Sequence, residues 1–403
     1  MFTSKELERY AQVMIWGMKK ARKEPFAEGD IVLVRTDKSA LPLANAIYET
    51  VIKMGMNPVV RINLSEELEK TFFSHAQDFQ LEFKIPGDEE LYSSLNGLIS
   101  LLAPESLTHL RDIEPSRIGK YAVTKKYLRD ILEQREGRGV FGWSLCLYPT
   151  GELASKAGMD IMEYKSQIVR AAYLDNENPW DIWQGIFEKS RQVKDWLNSM
   201  DVDYYHVKSA STDIRVYPGI KRRWLGVSGH NIPSFELFLS PDRRKTQGVF
   251  FADQASYRSG NYVRGVRLEF KDGRVVKSGA EEGESFLKKQ LAMDEGASYL
   301  GEFSLTDKRF SRIDKFMAHT LYDENFGGPD GNCHIALGAS YADTYSSDSG
   351  ELSAKLKKEL GFNDSALHWD LVNTEKKTVQ AYLVSGEAVT IYRDGQFTLE
   401  ELQ

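Results

Sequence analysis

The sequence predicts an N-terminal α/β domain, a doubly wound parallel sheet, followed by an α+β domain of largely antiparallel strands. Three observations carry this. Up to about residue 150, short β-branched runs alternate with helical patterns, which is the signature of βαβ units. A block of helical patterns then interrupts the strands. After residue 200, short alternating runs are joined by tight-turn signals such as Asp272-Gly273, which marks antiparallel hairpins. The expected division is residues 1–185, with helices at the C-terminal end, and residues 186–403.

Residues 3–23 read as a helix. Leu7, Tyr10, Ala11, Met14, Ile15 and Met18 recur at helical spacing, and Thr3 or Ser4 offers an N-cap. Gly29-Asp30 leads into Ile31-Val32-Leu33-Val34-Arg35, an apolar run that reads as a buried parallel strand. Residues 42–54 are helical, with Pro42 in the first turn and Gly55 just past the end. Pro58-Val59-Val60-Arg61-Ile62-Asn63 forms the next strand, and 65–75 the next helix, capped by Ser65. Strands at 98–102 and 140–145, with a helix over 115–135 between them, extend the pattern. Pro149-Thr150-Gly151 breaks it, and helices over 152–157, 160–171 and 179–200 follow. Trp180, Ile182, Trp183, Ile186 and Phe187 make an apolar stripe suited to a core. Beyond it, 204–208, 212–216 and 263–270 are strand-like, 281–293 is a helix, and 383–398 holds further short strands.

Composition narrows the function. The chain has 403 residues, 41% hydrophobic and 28% charged, which is long enough for two domains with their own cores. A net charge of −7 and a pI of about 5.7 leave no basic footprint for a nucleic acid. No apolar run approaches the ~20 residues that cross a bilayer. The N-terminus has no signal-peptide pattern, so a cytoplasmic protein without a membrane partner is expected. Cys146 and Cys333 fit buried reduced thiols rather than a disulfide framework. The loop Thr36-Asp37-Lys38-Ser39-Ala40 after the first strand carries neither a GxGxxG nor a Walker lysine motif, so no nucleotide site is expected.

The chemistry concentrates in four short segments of the second domain. His368-Trp369-Asp370 places an imidazole and a carboxylate on one face of a strand, because residues i and i+2 point the same way. That pair is either a half-site for a divalent cation or a solvent-facing pair. His334 lies in the apolar run Cys333-His334-Ile335-Ala336-Leu337-Gly338, where a lone histidine is more often a hydrogen-bonded core residue. Glu236 stands among Phe235, Leu237 and Phe238. There a carboxylate needs a cation or a hydrogen-bond partner, unless it faces outward. Glu302, in Leu300-Gly301-Glu302-Phe303-Ser304-Leu305, is by itself an ordinary strand acid. Taken together, three carboxylates and two imidazoles match a co-catalytic pair of divalent ions that activates water. No HExxH motif and no cysteine-rich zinc site is present.

In these segments the chain resembles the aminopeptidase T / aminopeptidase S family of metal-dependent exopeptidases. The motifs that carry the resemblance are Asn231-Ile232-Pro233 with Glu236, Gly265-Val266-Arg267-Leu268, Leu300-Gly301-Glu302, and Thr320-Leu321-Tyr322-Asp323-Glu324 with Gly327-Gly328. His334-Ile335-Ala336-Leu337-Gly338 with Tyr341, and Ser365-Ala366-Leu367-His368-Trp369-Asp370-Leu371-Val372, complete the set. Fainter similarity extends to Leu147-Tyr148-Pro149-Thr150 and Asn178-Pro179.

The resemblance implies two divalent ions (zinc, cobalt, manganese or magnesium) held by Glu236, Glu302, His334, His368 and Asp370, with Glu302 bridging. It implies that Tyr341 polarises the substrate carbonyl or stabilises the tetrahedral oxyanion, and that Glu302, or an unliganded acid nearby, carries the proton. It implies release of N-terminal residues from peptides through a hydroxide shared by the two ions, and a homodimer enclosing the active site. His230 and His319 are read as outer partners or structural residues. Two features depart from the family: Phe235 stands where Gly is usual, and the loops 328–333 and 346–363 look longer and more polar. The competing readings are a metallohydrolase for non-peptide amides or esters, and a non-catalytic relative of the fold.

Overall fold

The computed structural model describes residues 1–258, 260–347 and 352–400. Two compact units emerge: Met1–Trp183 with Ser228–Ser234, and Gln184–Val227 with Phe235–Gln403. Among the described residues, no helix is long and apolar enough to cross a membrane.

The first unit runs α1 (Ser4–Lys20), β1 (Ile31–Thr36), α2 (Leu41–Lys53), β2 (Asn57–Ile62), α3 (Glu66–His75), α4 (Asp78–Leu81) and α5 (Asp88–Ser94). It continues through β3 (Gly97–Leu102), α6 (Pro115–Gly137), β4 (Gly142–Leu147), α7 (Gly151–Lys156), α8 (Ile161–Ala171) and the start of α9 (Pro179–Asn198). The sheet is parallel in the order β2-β1-β3-β4, closed by the short strand Asn231–Ile232 beside β4. Val32, Leu33 and Val34 are all fully buried, because β1 is covered on both faces. Leu33 packs with Leu98, Leu128 and Phe141, while α1 packs against α2, β3 and β4. Thr3 and Ser65 cap their helices as the sequence implies. Two short helices, α4 and α5, are each too brief to show a period in the sequence. Cys146 and Cys333 are free and buried.

In the second unit β5 (Val202–Lys208), β6 (Asp213–Val216) and β7 (Leu225–Gly226) precede the strand of Asn231–Ile232, here β8. Then come β9 (Glu236–Leu239), β10 (Gln247–Ala252), β11 (Ser256–Arg258), β12 (Asn261–Val263), β13 (Val266–Lys271), β14 (Arg274–Gly279), α10 (Glu284–Leu291) and β15 (Leu300–Thr306). The chain ends through α11 (Thr320–Asp323), β16 (Asn332–Gly338), α12 (Ala354–Glu359), β17 (His368–Asn373), β18 (Thr378–Leu383), β19 (Ala388–Arg393) and β20 (Gln396–Phe397). The run read as one strand over 263–270 is broken at Gly265, whose φ of +65° is open to glycine at little steric cost.

Among the described residues these strands build two large antiparallel sheets, β14-β13-β10-β6-β5-β18-β19-β20 and β17-β16-β15-β9-β7, and the two-stranded ribbon β11-β12. The two large sheets meet through aromatic packing. Phe303 of β15 lies 5.8 Å from Tyr205 and 5.6 Å from Trp224, centroid to centroid, and the Trp224 indole donates to the Tyr205 hydroxyl at 2.8 Å. That apolar layer backs the face on which the polar residues of the smaller sheet stand.

Candidate metal centre

Strand register gathers the candidate residues. In an antiparallel sheet, residues directly opposite one another share a face. Ser304 pairs with Phe238 on one side and His334 on the other, and His334 pairs with Val372. One row along, Glu302 pairs with Ala336 and Ala336 with Asp370, and Gly338 pairs with His368. Glu236 pairs with Thr306. Glu236, Glu302, His334, His368 and Asp370 therefore lie on one face of four adjacent strands. Their neighbours on alternate positions, Leu237, Phe303, Ile335, Trp369 and Leu371, are buried on the other face. Ser304, Ala336 and Gly338 are small, so the floor between the five side chains stays low.

A bulge at Leu300–Glu302 sets the reach of Glu302. A Cβ on Gly301 would stand 2.3 Å from the carbonyl oxygens of Gly338 and Ala339, so that close approach requires glycine.

The five residues form two groups with one member in common: Glu236, Glu302 and His334, and Glu302, His368 and Asp370. Within each group the donor atoms lie within 4.8 Å of one another. His334 Nε2 is 3.1 Å from Glu236 Oε2 and 3.1 Å from Glu302 Oε1. His368 Nε2 is 3.8 Å from Glu302 Oε2 and 3.4 Å from Asp370 Oδ1. The Glu302 carboxylate thus turns one oxygen to each group. His368 Nδ1 donates to the Ala339 carbonyl at 3.0 Å, which leaves Nε2 free to act as a ligand.

Charge tells the same story. Burial raises the Glu302 carboxyl above the usual carboxylate range, and the negative charge of Glu236 adds to this against the His334 hydrogen bond. Burial works against a charged His334, yet hydrogen bonds to Glu236 and Glu302 hold its imidazole well above its ordinary value. Burial likewise opposes a charged His368, and Asp370 overrides it, raising the imidazole to about 9. Protons on these imidazoles sit where a cation would serve the same carboxylates. Three hard oxygen donors and two borderline nitrogens, convergent and fully or partly buried, fit divalent ions.

Tyr341 also comes to this place. Its ring centroid lies 4.8 Å from that of His368 and 5.6 Å from that of Phe238. Its backbone N–H donates to Ser240 Oγ at 2.8 Å. The residue is 44% exposed, but its hydroxyl end is sheltered. Burial there, reinforced by the Glu302 and Asp370 carboxylates, raises the phenol well above its usual range.

Sequence reasoning assigned no role to Glu324. It is buried, and burial raises its carboxyl well above the ordinary value, with Glu236 and Asp370 adding to the effect. With Asp370, Tyr257 and Thr320 it lines a small cavity. Its place inside Thr320-Leu321-Tyr322-Asp323-Glu324 was the available signal, but no period marks a carboxylate at the end of a short turn as buried. His319 is structural: its Nδ1 accepts from Leu321 N at 3.3 Å and caps α11. His230 belongs to the first unit, stacked on Trp143 at 4.3 Å. The polar loop 346–363 lies partly outside the described residues, at 348–351.

Comparison with known proteins identifies the relatives of this chain. Aminopeptidase 2 of Geobacillus stearothermophilus is 26% identical over 423 aligned positions, covering 98% of each chain. Aminopeptidase AmpS of Bacillus subtilis is 25% identical over 420, again covering 98% of each. Aminopeptidase T of Thermus aquaticus is 29% identical over 270, covering 64% of this chain and 63% of that one. The solved structure of wild-type AmpT from Thermus thermophilus shares the fold, with a TM-score of 0.80 at 20% identity over 98% of this chain and 99% of that one. The model of the thermophilic metalloprotease family M29 matches residues 3–397, and the chain belongs to that family.

Proposed function

We propose that the protein is a metal-dependent aminopeptidase that releases N-terminal residues from peptides. The observation that carries this is the Glu302 carboxylate, shared between two groups that each add an imidazole and a second carboxylate. In this reading Glu236 and His334 hold one divalent ion, His368 and Asp370 the other, and Glu302 both. When bound, the pair supplies Lewis acidity toward the scissile carbonyl and a water of lowered pKa.

The protein's own groups do the rest. Ala339 keeps His368 in the tautomer that presents Nε2. The Tyr341 hydroxyl, protonated across the working pH range, donates to the oxygen that gains charge in the transition state. A buried carboxyl beside the cluster, that of Glu324, takes the proton of the attacking water and carries it to the leaving amine. In this reading the free amine of the peptide sits against an acidic group or a metal ion, which selects against blocked N-termini. The family relationship and the names of the relatives support the same reading, which extends to a cytoplasmic homodimer using zinc, cobalt, manganese or magnesium.

The direct test compares aminoacyl-p-nitroanilides with their N-acetylated counterparts, before and after chelation and metal return. Cleavage of free-amine substrates only, lost on chelation and restored by a divalent ion, is expected. Equal rates on blocked substrates would overturn the aminopeptidase reading.

A further inference from the structure

We propose that Asn325 is a positioning residue for the metal centre, setting the place of Glu236 and hence the affinity of one of the two ions. Asn325 is fully buried in the turn after α11. Its Oδ1 accepts from Phe235 N at 2.6 Å, just before β9, and from Glu236 N at 3.1 Å, at the start of β9. Its Nδ2 donates to Leu321 O at 3.0 Å and to Glu324 Oε1 at 3.3 Å. The amide therefore has one orientation: flipping it would turn N–H groups against two backbone N–H groups and an oxygen against two acceptors.

The turn that carries it is itself pinned. Asn332 Nδ2 donates to Glu324 O at 3.0 Å and Phe326 O at 2.6 Å, and Ser311 Oγ donates to Asn325 O. On the other side, Ser304 Oγ reaches Glu236 Oε2 at 3.4 Å and Leu237 O at 3.2 Å. One side chain thus fixes the backbone of Glu236 and one oxygen of Glu324 together. Four bonds in a dry site make a rigid link, and losing them leaves buried groups unsatisfied.

The proposal rests on the reading of Glu236 as a ligand, and the test separates the two. Cobalt(II) is titrated into metal-stripped wild type, Asn325→Ala, Asn325→Asp and Asn332→Ala. Stoichiometry comes from equilibrium dialysis, ligand geometry from the visible absorption spectrum, and folding from Tm. Asn332→Ala disturbs the same turn without touching the amides of Phe235 and Glu236, so it reports a purely structural loss.

The expected result is two cobalt ions per wild-type chain. In Asn325→Ala one of them is weakened by roughly 10–100-fold with an altered spectrum. Asn332→Ala lowers Tm but keeps both affinities and the spectrum. Asn325→Asp retains the acceptor and is expected to bind more tightly than Asn325→Ala; it also keeps the test alive if the alanine variant does not fold. Unchanged cobalt binding in both Asn325 variants overturns the proposal, as does a loss matched by Asn332→Ala. Wild type that takes up no cobalt overturns the metal-centre reading itself.

Discussion

Glu302 and His334 meet at 3.1 Å across 32 residues of sequence, Oε1 against Nε2, on neighbouring strands of one sheet. The contact is a product of register. Glu302 sits one row from the partner of His334, and the bulge before it brings its carboxylate back toward the imidazole. The other oxygen of the same carboxylate faces His368.

Glu302→Gln keeps the shape of this side chain and removes its charge from both halves of the site. The expected result is a fall in kcat/KM on the order of 10³-fold, with weaker binding of both metal ions and an unchanged fold by circular dichroism. Activity within a few-fold of wild type at saturating metal would refute the shared role.

Tyr341→Phe removes only the hydroxyl from a ring held against Phe238 and His368. If that hydroxyl acts on the transition state, kcat falls by roughly 10²-fold while KM stays within a factor of about two. A rise in KM at constant kcat would instead assign the phenol to ground-state binding.

Lys194 gives a pH dependence outside the site. Its ammonium donates to Gly226 O at 2.6 Å, and burial lowers its pKa to about 8, against about 10.4 in an unfolded chain. Between these values the unfolded chain binds more protons, so stability rises with pH. Its contribution is fully present above the unfolded value and is lost as pH falls through the folded one. Against Lys194→Met, which does not titrate, wild-type stability is expected to gain roughly 2 kcal/mol between about pH 7.5 and pH 10. Urea titrations at several pH values check this, and parallel curves for the two proteins would contradict it.

Much of the fold is legible in the residues alone. Buried β-branched runs between capped helices specify the parallel sheet, because β1 must be apolar on both faces. Asp-Gly turns between alternating runs specify the antiparallel half. His368-Trp369-Asp370 already places two donors on one side of a strand, whatever the strand packs against. Glu236, Glu302 and His334 were visible only as polar residues in apolar runs, and resemblance to a family, not periodicity, joined them.

The remainder comes from contacts between distant segments. Which strands lie side by side depends on long-range pairing, and that pairing put five donors from β9, β15, β16 and β17 on one face. The bulge at Gly301 depends on how closely the Gly338 and Ala339 backbone approaches. The burial of Glu324 and the four bonds of Asn325 arise where a turn, a strand start and a loop converge. A local pattern records which side of a strand a residue faces, but not what the fold sets opposite it.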